Sequence, residues 1–92
     1  MTDRAERSLT LVNRLGLHAR ASAQLARLAG ALSPEITVTK GGETVKATSI
    51  MGLMMLGAAC GDQVTVTAEG DGAEEALNAL SKMIEDRFGE AE

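Results

Sequence analysis

Aromatic side chains are almost absent from this 92-residue chain, which has one phenylalanine and neither tryptophan nor tyrosine. A hydrophobic core must therefore be built from Leu, Val, Ile, Met and Ala, and hydrophobic residues as a class make up 45% of the chain. This length predicts a single domain over residues 1–92, with a modest core and no room for a buried catalytic cleft. No cluster of metal-ligand residues stands out, so neither a metal nor a cofactor is expected.

Cysteine, basic residues and long apolar runs are also scarce. The one cysteine, Cys60, excludes an internal disulfide and suits a reducing, cytoplasmic environment. Its small neighbours suggest a packing residue near a turn, without a redox role. The net charge of −4 argues against a nucleic-acid partner, because phosphate contacts need clustered Lys and Arg. No apolar run could span a bilayer and the first residues are charged, so neither a membrane partner nor a signal peptide is expected.

Hydrophobic periodicity predicts the element order β-α-β-β-α-β-α. After a frayed segment at 1–6, the strands are predicted at 8–12, 36–40, 43–47 and 63–68, and the first two helices at 19–31 and 50–58. Asp71 is expected to cap the third helix, with Glu74 completing a capping box and Gly89 ending it. The order predicts an α+β fold, a two-layer open-faced β-sandwich in which a four-stranded antiparallel sheet carries three helices on one face.

The only histidine, His18, falls where the first helix is predicted to begin. The free N–H groups and the dipole of a helix N-terminus favour an anion and disfavour imidazolium, so His18 is expected to be a neutral nucleophile. Arg20 could hold a phosphate that arrives there. These residues indicate a site that carries a phosphoryl group on His18. A lone histidine before a helix is usually an ordinary polar turn residue, and on this stretch alone that interpretation is favoured over the phosphoryl site.

The second predicted helix has almost no polar face. Ser49 is the expected N-cap, and nearly every following residue as far as Leu56 is apolar. In so small a domain, part of this helix should cover the core, and the rest should present an apolar surface to partners.

Two segments, Gly16-Leu17-His18-Ala19-Arg20 and Ser49-Ile50-Met51-Gly52-Leu53-Met54, resemble the two signatures of the HPr family. These proteins are the histidine phosphocarriers of the bacterial phosphoenolpyruvate-dependent phosphotransferase system. The resemblance extends from the first strand to the third helix and needs no gap between the two motifs.

The resemblance implies a carrier rather than an enzyme. His18 would accept a phosphoryl group on Nδ1 from enzyme I and pass it to an enzyme IIA-type acceptor, while Arg20 would steady the phosphoryl oxygens. Ser49 aligns with the serine that HPr kinase/phosphorylase modifies in many bacteria. The implied docking residues for partners are Ala19, Ile50, Met51 and Met54.

One departure from the usual sequence of the family indicates which of its branches the chain resembles. Where the family usually has proline after His-Ala-Arg, this chain has Ala21 followed by Ser22. That pattern resembles the nitrogen-related branch, which serves regulatory phosphorelays. Two alternatives remain: a sugar-transport carrier with the same chemistry, and a non-catalytic interaction module that acts through the apolar helix 49–58. In each case a monomer is expected.

Overall fold

The computed structural model describes residues 3–91 and contains one four-stranded sheet with its helices. The elements, in chain order, are β1 (Arg4–Thr10), α1 (Ala19–Ala31), β2 (Glu35–Lys40), β3 (Glu43–Lys46), α2 (Ile50–Met55), β4 (Gln63–Glu69), α3 (Ala73–Glu85) and a short 3₁₀ turn at Arg87–Gly89. The predicted α+β fold and element order are confirmed.

The sheet is antiparallel throughout, with strand order β1-β4-β2-β3. The β2–β3 hairpin turns through Gly41-Gly42, as predicted, and pairs Lys40 with Glu43. Alternate residues of the central strands are buried against the helices, and the intervening threonines stay at least partly exposed. The sheet therefore has one face on the core and one open face, as alternating apolar and polar residues predict.

Strand β1 starts earlier and ends earlier than its sequence predicts. It pairs with β4 in unbroken register from Arg4 opposite Glu69 to Thr10 opposite Gln63, so the expectation that residues 4–6 are frayed is wrong. The apolar alternation is obscured because Arg7 occupies an inward position between Ala5 and Leu9. Residues 1 and 2 lie outside the described part of the chain.

Three side chains of α3 accept hydrogen bonds from the guanidinium of Arg7. It donates to Ser81 Oγ at 2.9 Å, to Asn78 Oδ1 at 3.1 Å and to Glu74 Oε2 at 3.2 Å. An edge strand can therefore direct a charged residue toward the helix layer, because side chains of α3 accept hydrogen bonds from it.

The predicted capping box of α3 is wrong. The N-cap residue is Gly72, in the left-handed region with φ of 80°, and it makes no side-chain capping bond. Glu74 binds Arg7 instead of the helix terminus. The helix also ends at Glu85, before Gly89, because Arg87 and Phe88 take positive φ angles.

Two smaller expectations are corrected after Ser49. Helix α2 ends at Met55 rather than near Ala58, and Gly57 follows in the left-handed region. Cys60 is exposed rather than packed. The turn that contains Cys60 is closed by Asp62, whose carboxylate accepts from the Ala59 N–H at 2.9 Å. The turn therefore does not depend on packing of the Cys60 side chain. Within residues 3–91, no helix combines the length and the apolar character needed to cross a membrane.

Candidate functional site: the N-terminus of the first helix

His18 is the N-cap residue of α1. Its backbone is extended, with φ of −76° and ψ of −178°, and its Nδ1 accepts the backbone N–H of Arg20 at 3.3 Å. The helix starts at Ala19, as the sequence predicts. An N-cap side chain normally accepts from the first turn in this way, although Ser, Thr, Asp and Asn are the usual residues. The imidazole nitrogen therefore points at backbone donors that have no partner within the helix.

Gly16 determines how the loop before α1 approaches the rest of the molecule. Its φ is +60°, and a Cβ there would lie only 2.4 Å from the carbonyl oxygen of Ala58. The next N–H, that of Leu17, donates to the same oxygen at 3.0 Å. Only glycine fits this combination of conformation and close contact. The loop that carries His18 is thereby held against the segment that follows α2.

A shallow hollow opens beside the imidazole. Its volume is about 310 Å³, and it is lined by Arg14, Leu15, His18, Arg20, Glu90 and Ala91. Arg20 is exposed on the first turn of α1, so its guanidinium can reach a group bound in the hollow. The structure thus brings together the histidine and arginine that the sequence selects. It also places two further polar groups beside them, on Arg14 and Glu90.

Glu90 is the site residue that sequence reasoning missed. Its Oε2 lies 2.7 Å from His18 Nε2, and its Oε1 accepts from the buried amide of Asn13 at 3.1 Å. The sequence offers no second acid or base near His18, yet the fold supplies a carboxylate from 72 residues away. The sequence signal that could have revealed this contact is Phe88, an apolar residue beyond the end of α3. Because Phe88 is buried, the chain must turn back toward the core just before Glu90.

The surroundings of Glu90 favour its charged form. Burial raises the pKa of its carboxyl, but the hydrogen bonds from Asn13 and His18 and the attraction of His18 and Arg20 outweigh that effect. The pKa of Glu90 is therefore lowered from its ordinary value. Only 13% of the Glu90 side chain is exposed, against 26% for His18. A carboxylate in direct contact with the ring is thus a feature of the site at neutral pH.

Ser49 caps α2, as predicted: its Oγ accepts from the Gly52 N–H at 3.0 Å. The helix divides its apolar residues between two environments. Leu53 and Leu56 are buried in the core, while four others are exposed and form what we call the methionine surface, Ile50, Met51, Met54 and Met55. The exposed fraction reaches 69% at Met51 and 75% at Met55, a residue absent from the expected docking set. Ala19, which belongs to that set, is exposed on α1.

No group of three or more His, Cys, Asp or Glu side chains within residues 3–91 is arranged to hold a metal ion. The polar groups at the hollow instead suit an oxyanion, because a guanidinium and backbone N–H groups are its common partners.

Comparison with known proteins identifies the family. Residues 5–86 match the family described as the PTS HPr component phosphorylation site. The chain is 47% identical to phosphocarrier protein HPr of Cupriavidus necator, over 95% of this chain and 98% of that protein. It is 41% identical to phosphocarrier protein NPr of Shewanella violacea, over 94% of each.

A solved structure agrees in both fold and sequence. The crystal structure of HPr-C-His from Thermoanaerobacter tengcongensis superposes with a TM-score of 0.91 at 43% identity, covering 96% of this chain and 99% of that one. Four antiparallel strands, three helices and a match to most of the chain all lead to one assignment. The chain belongs to the HPr family of phosphocarrier proteins of the phosphotransferase system.

Proposed function

We propose that this protein accepts a phosphoryl group from phospho-enzyme I on Nδ1 of His18 and delivers it to an enzyme IIA-type acceptor. The observation that carries the proposal is the position of His18 as the cap of α1. Its Nδ1 faces the first-turn N–H groups, and Arg20 lines the same hollow. The partners follow from membership of the family.

Phosphoryl transfer requires the protein to position the reacting groups and to stabilise the charge on the phosphoryl oxygens. The lone pair of Nδ1 attacks phosphorus, and the bond from phosphorus to the donor group of enzyme I breaks, its electron pair remaining with the donor. The Arg20 N–H leaves Nδ1 and becomes available to a phosphoryl oxygen, and the Arg20 guanidinium can hold another. Delivery to the acceptor is the same step in reverse, with a different nucleophile.

A carrier, rather than an enzyme with turnover, fits the shape of the site. The hollow of about 310 Å³ lies open beside the imidazole and can present a phosphoryl group to another protein. Partners would dock on the methionine surface together with Ala19, since adaptable thioether side chains suit surfaces of several shapes. The proposal places the protein in the cytoplasm, where the exposed Cys60 would stay reduced.

We also propose the nitrogen-related branch, on the strength of Ala21-Ser22 after the His-Ala-Arg motif and of the NPr relative. A sugar-transport carrier is the second candidate, since other relatives carry the name HPr. The acceptor separates the two branches: purified enzyme IIA proteins of each kind should be tested for phosphoryl uptake from the labelled protein. Preferential transfer to a sugar-specific acceptor would contradict the nitrogen assignment.

Ser49 is proposed as a regulatory phosphorylation site for HPr kinase/phosphorylase. Its hydroxyl is half-buried at the edge of the methionine surface. A dianionic phosphate there would face the apolar side chains of a docked partner. Addition of the purified kinase and ATP should give a base-labile, acid-stable phosphoserine on wild type and none on Ser49→Ala. Modification of Ser49→Ala at the same level would exclude this residue.

The main test is phosphorylation by enzyme I and phosphoenolpyruvate, followed by intact-mass measurement. Wild type and Ser49→Ala should each gain one phosphoryl group that is lost in acid and retained in base. His18→Ala should gain none. Labelling of His18→Ala to the wild-type level would contradict the proposal, and Ser49→Ala controls for a serine ester.

A further inference from the structure

We propose that Glu90 is a positioning residue for His18, which fixes the ring orientation and keeps the proton on Nε2 so that the electron pair stays on Nδ1. This inference rests on the proposed function, because it assigns Glu90 a part in phosphoryl transfer. Glu90 does not itself touch the phosphoryl group in this role. Its contact is with the opposite nitrogen of the imidazole.

The two hydrogen bonds of the ring agree on a single tautomer. Nδ1 accepts from the Arg20 N–H at 3.3 Å, so it must carry a lone pair rather than a proton. The carboxylate of Glu90 can only accept, so the proton of a neutral ring must lie on Nε2, 2.7 Å away. In a neutral imidazole one nitrogen donates and the other accepts, and the partner of one fixes the state of the other. The nitrogen left as the nucleophile is Nδ1.

Asn13 holds the carboxylate in place. Its side chain is fully buried, and its Nδ2 donates both to the Gly16 carbonyl oxygen at 2.8 Å and to Glu90 Oε1 at 3.1 Å. One amide group thus links the glycine turn that sets the loop before α1 to the residue that orients the ring. With Oε1 engaged by Asn13, Oε2 is left directed at Nε2.

The backbone before Glu90 adopts an uncommon conformation to bring it there. Arg87 and Phe88 have φ angles of 57° and 55°, and Gly89 follows at 79°. Two successive non-glycine residues in the left-handed region carry a conformational cost, because their Cβ atoms crowd the backbone. Burial of the Phe88 ring in the core offsets that cost. This left-handed turn redirects the chain from the end of α3 to the imidazole, and strained turns of this kind concentrate at functional sites.

The contact survives the reaction and should assist it. When Nδ1 bonds to phosphorus, the imidazole becomes cationic while its proton remains on Nε2, still donating to Glu90. No proton moves to the carboxylate, which acts through its charge and its fixed position, as the aspartate of a Ser-His-Asp triad does. Removing the carboxylate should therefore slow transfer without weakening docking, since Glu90 lies outside the methionine surface.

The test combines nuclear magnetic resonance of the His18 ring with transfer kinetics at saturating phospho-enzyme I. In wild type, the Nε2–H proton should give a resolved signal protected from exchange. Glu90→Ala should lose that signal and transfer roughly 10-fold more slowly, the low end of the loss seen when the partner that orients a metal-binding histidine is removed. Glu90→Gln keeps a hydrogen-bond acceptor but loses the charge. It should retain the proton signal, and its transfer rate should lie between those of wild type and Glu90→Ala. The matched control, Glu85→Gln, removes an exposed carboxylate near the same end of α3 and should behave as wild type.

Each result decides the question. Wild-type rates in Glu90→Ala would overturn the positioning role, whether or not the proton signal is lost. A protected signal that persists in Glu90→Ala would also overturn it, because another group would then hold the ring. If wild type takes up no phosphoryl group at all, the proposed function fails and this role fails with it. The proton signal would still report separately on whether the contact with Glu90 exists.

Discussion

The N-termini of α1 and α2 use the same device with different side chains. Nδ1 of His18 accepts the Arg20 N–H at 3.3 Å, and Oγ of Ser49 accepts the Gly52 N–H at 3.0 Å. Around His18 the fold gathers Arg20 and the Glu90 carboxylate at an open hollow. Around Ser49 it gathers the exposed apolar side chains of the methionine surface.

This difference shows that the chemistry of a capping residue depends on what surrounds it. The longer bond at His18 engages Nδ1 only weakly, because hydrogen bonds lose strength as the donor–acceptor distance grows. A phosphoryl group carried there, as we propose, would meet the Arg20 guanidinium and the N–H groups of the first turn. The same charge on Ser49 would be placed at an apolar surface and would disturb docking rather than chemistry.

Among the variants that test this comparison, Arg20→Ala should have the largest effect on the rate of phosphoryl transfer. Losing a charge-assisted hydrogen bond to the phosphoryl group costs about 1.5–3 kcal/mol, which corresponds to roughly 10- to 150-fold slower transfer. Stability should change little, since Arg20 is exposed on α1. Rates at saturating enzyme I and melting curves measure both quantities. Arg27→Ala, which removes an exposed arginine from the same helix away from the hollow, is the control. If the two variants slow transfer equally, Arg20 has no special role.

A smaller effect on transfer is expected from Ser49→Asp. A charge at the edge of the methionine surface must lose water when enzyme I docks, and a penalty of about 1 kcal/mol would weaken the interaction roughly fivefold. Asp is also a good N-cap, so the melting midpoint should stay close to that of wild type. Initial rates at varied enzyme I would show the loss in KM. A rise in KM for Ser49→Asn, which is uncharged, would assign the effect to shape rather than charge.

Ser49→Ala should separate capping from transfer. Without the bond to the Gly52 N–H, the free energy of unfolding should fall by about 1 kcal/mol. Phosphorylation of His18 should be unaffected. Urea unfolding is the measurement, and Ser33→Ala, in the exposed loop after α1, is the control. Equal stabilities for the two variants would mean that the cap of α2 contributes nothing measurable.

The smallest expected effect is a pH dependence at the α1 site. The pKa of Glu90 is lowered in the folded protein, so its charged form stabilises the fold above the ordinary carboxyl value of 4.5. That contribution is lost as the pH falls through the folded-state pKa. The extra stability of wild type relative to Glu90→Gln should therefore be present near neutral pH and should shrink as the pH falls below about 4.5. A difference that stays constant, or that grows in acid, would contradict the lowered pKa. Glu85→Gln should show no such trend.

Local patterns were sufficient to predict most of the fold, the position of His18 at the start of α1 and the cap of α2. A polar residue followed by helical periodicity locates His18 and Ser49, and two-residue alternation locates β2, β3 and β4. These signals lie within a few residues of the feature they predict. The start of β1 was missed because Arg7 faces inward, and only its partners on α3, more than 65 residues away, make that position tolerable.

The unpredicted part of the site depends on contacts between distant segments. The contact between Glu90 and His18 requires a left-handed turn at two non-glycine residues, Arg87 and Phe88, which no residue preference favours. It also requires a buried amide, that of Asn13, at a position the sequence suggests only as the end of a strand. The α3 cap failed for a related reason: Gly72 adopts the left-handed conformation and displaces Asp71 from the capping position.

In the proposed function, the cap of α1 carries the phosphoryl group on Nδ1 of His18. The most direct test uses ¹⁵N-labelled protein phosphorylated by phosphoenolpyruvate and a catalytic amount of enzyme I, followed by ³¹P–¹⁵N coupling measurements. Because the chain has one histidine, any coupling to an imidazole nitrogen belongs to His18. We predict that phosphorus couples directly to Nδ1, while Nε2 keeps its proton. Direct coupling to Nε2, or a phosphoserine signal with an unmodified imidazole, would contradict the account.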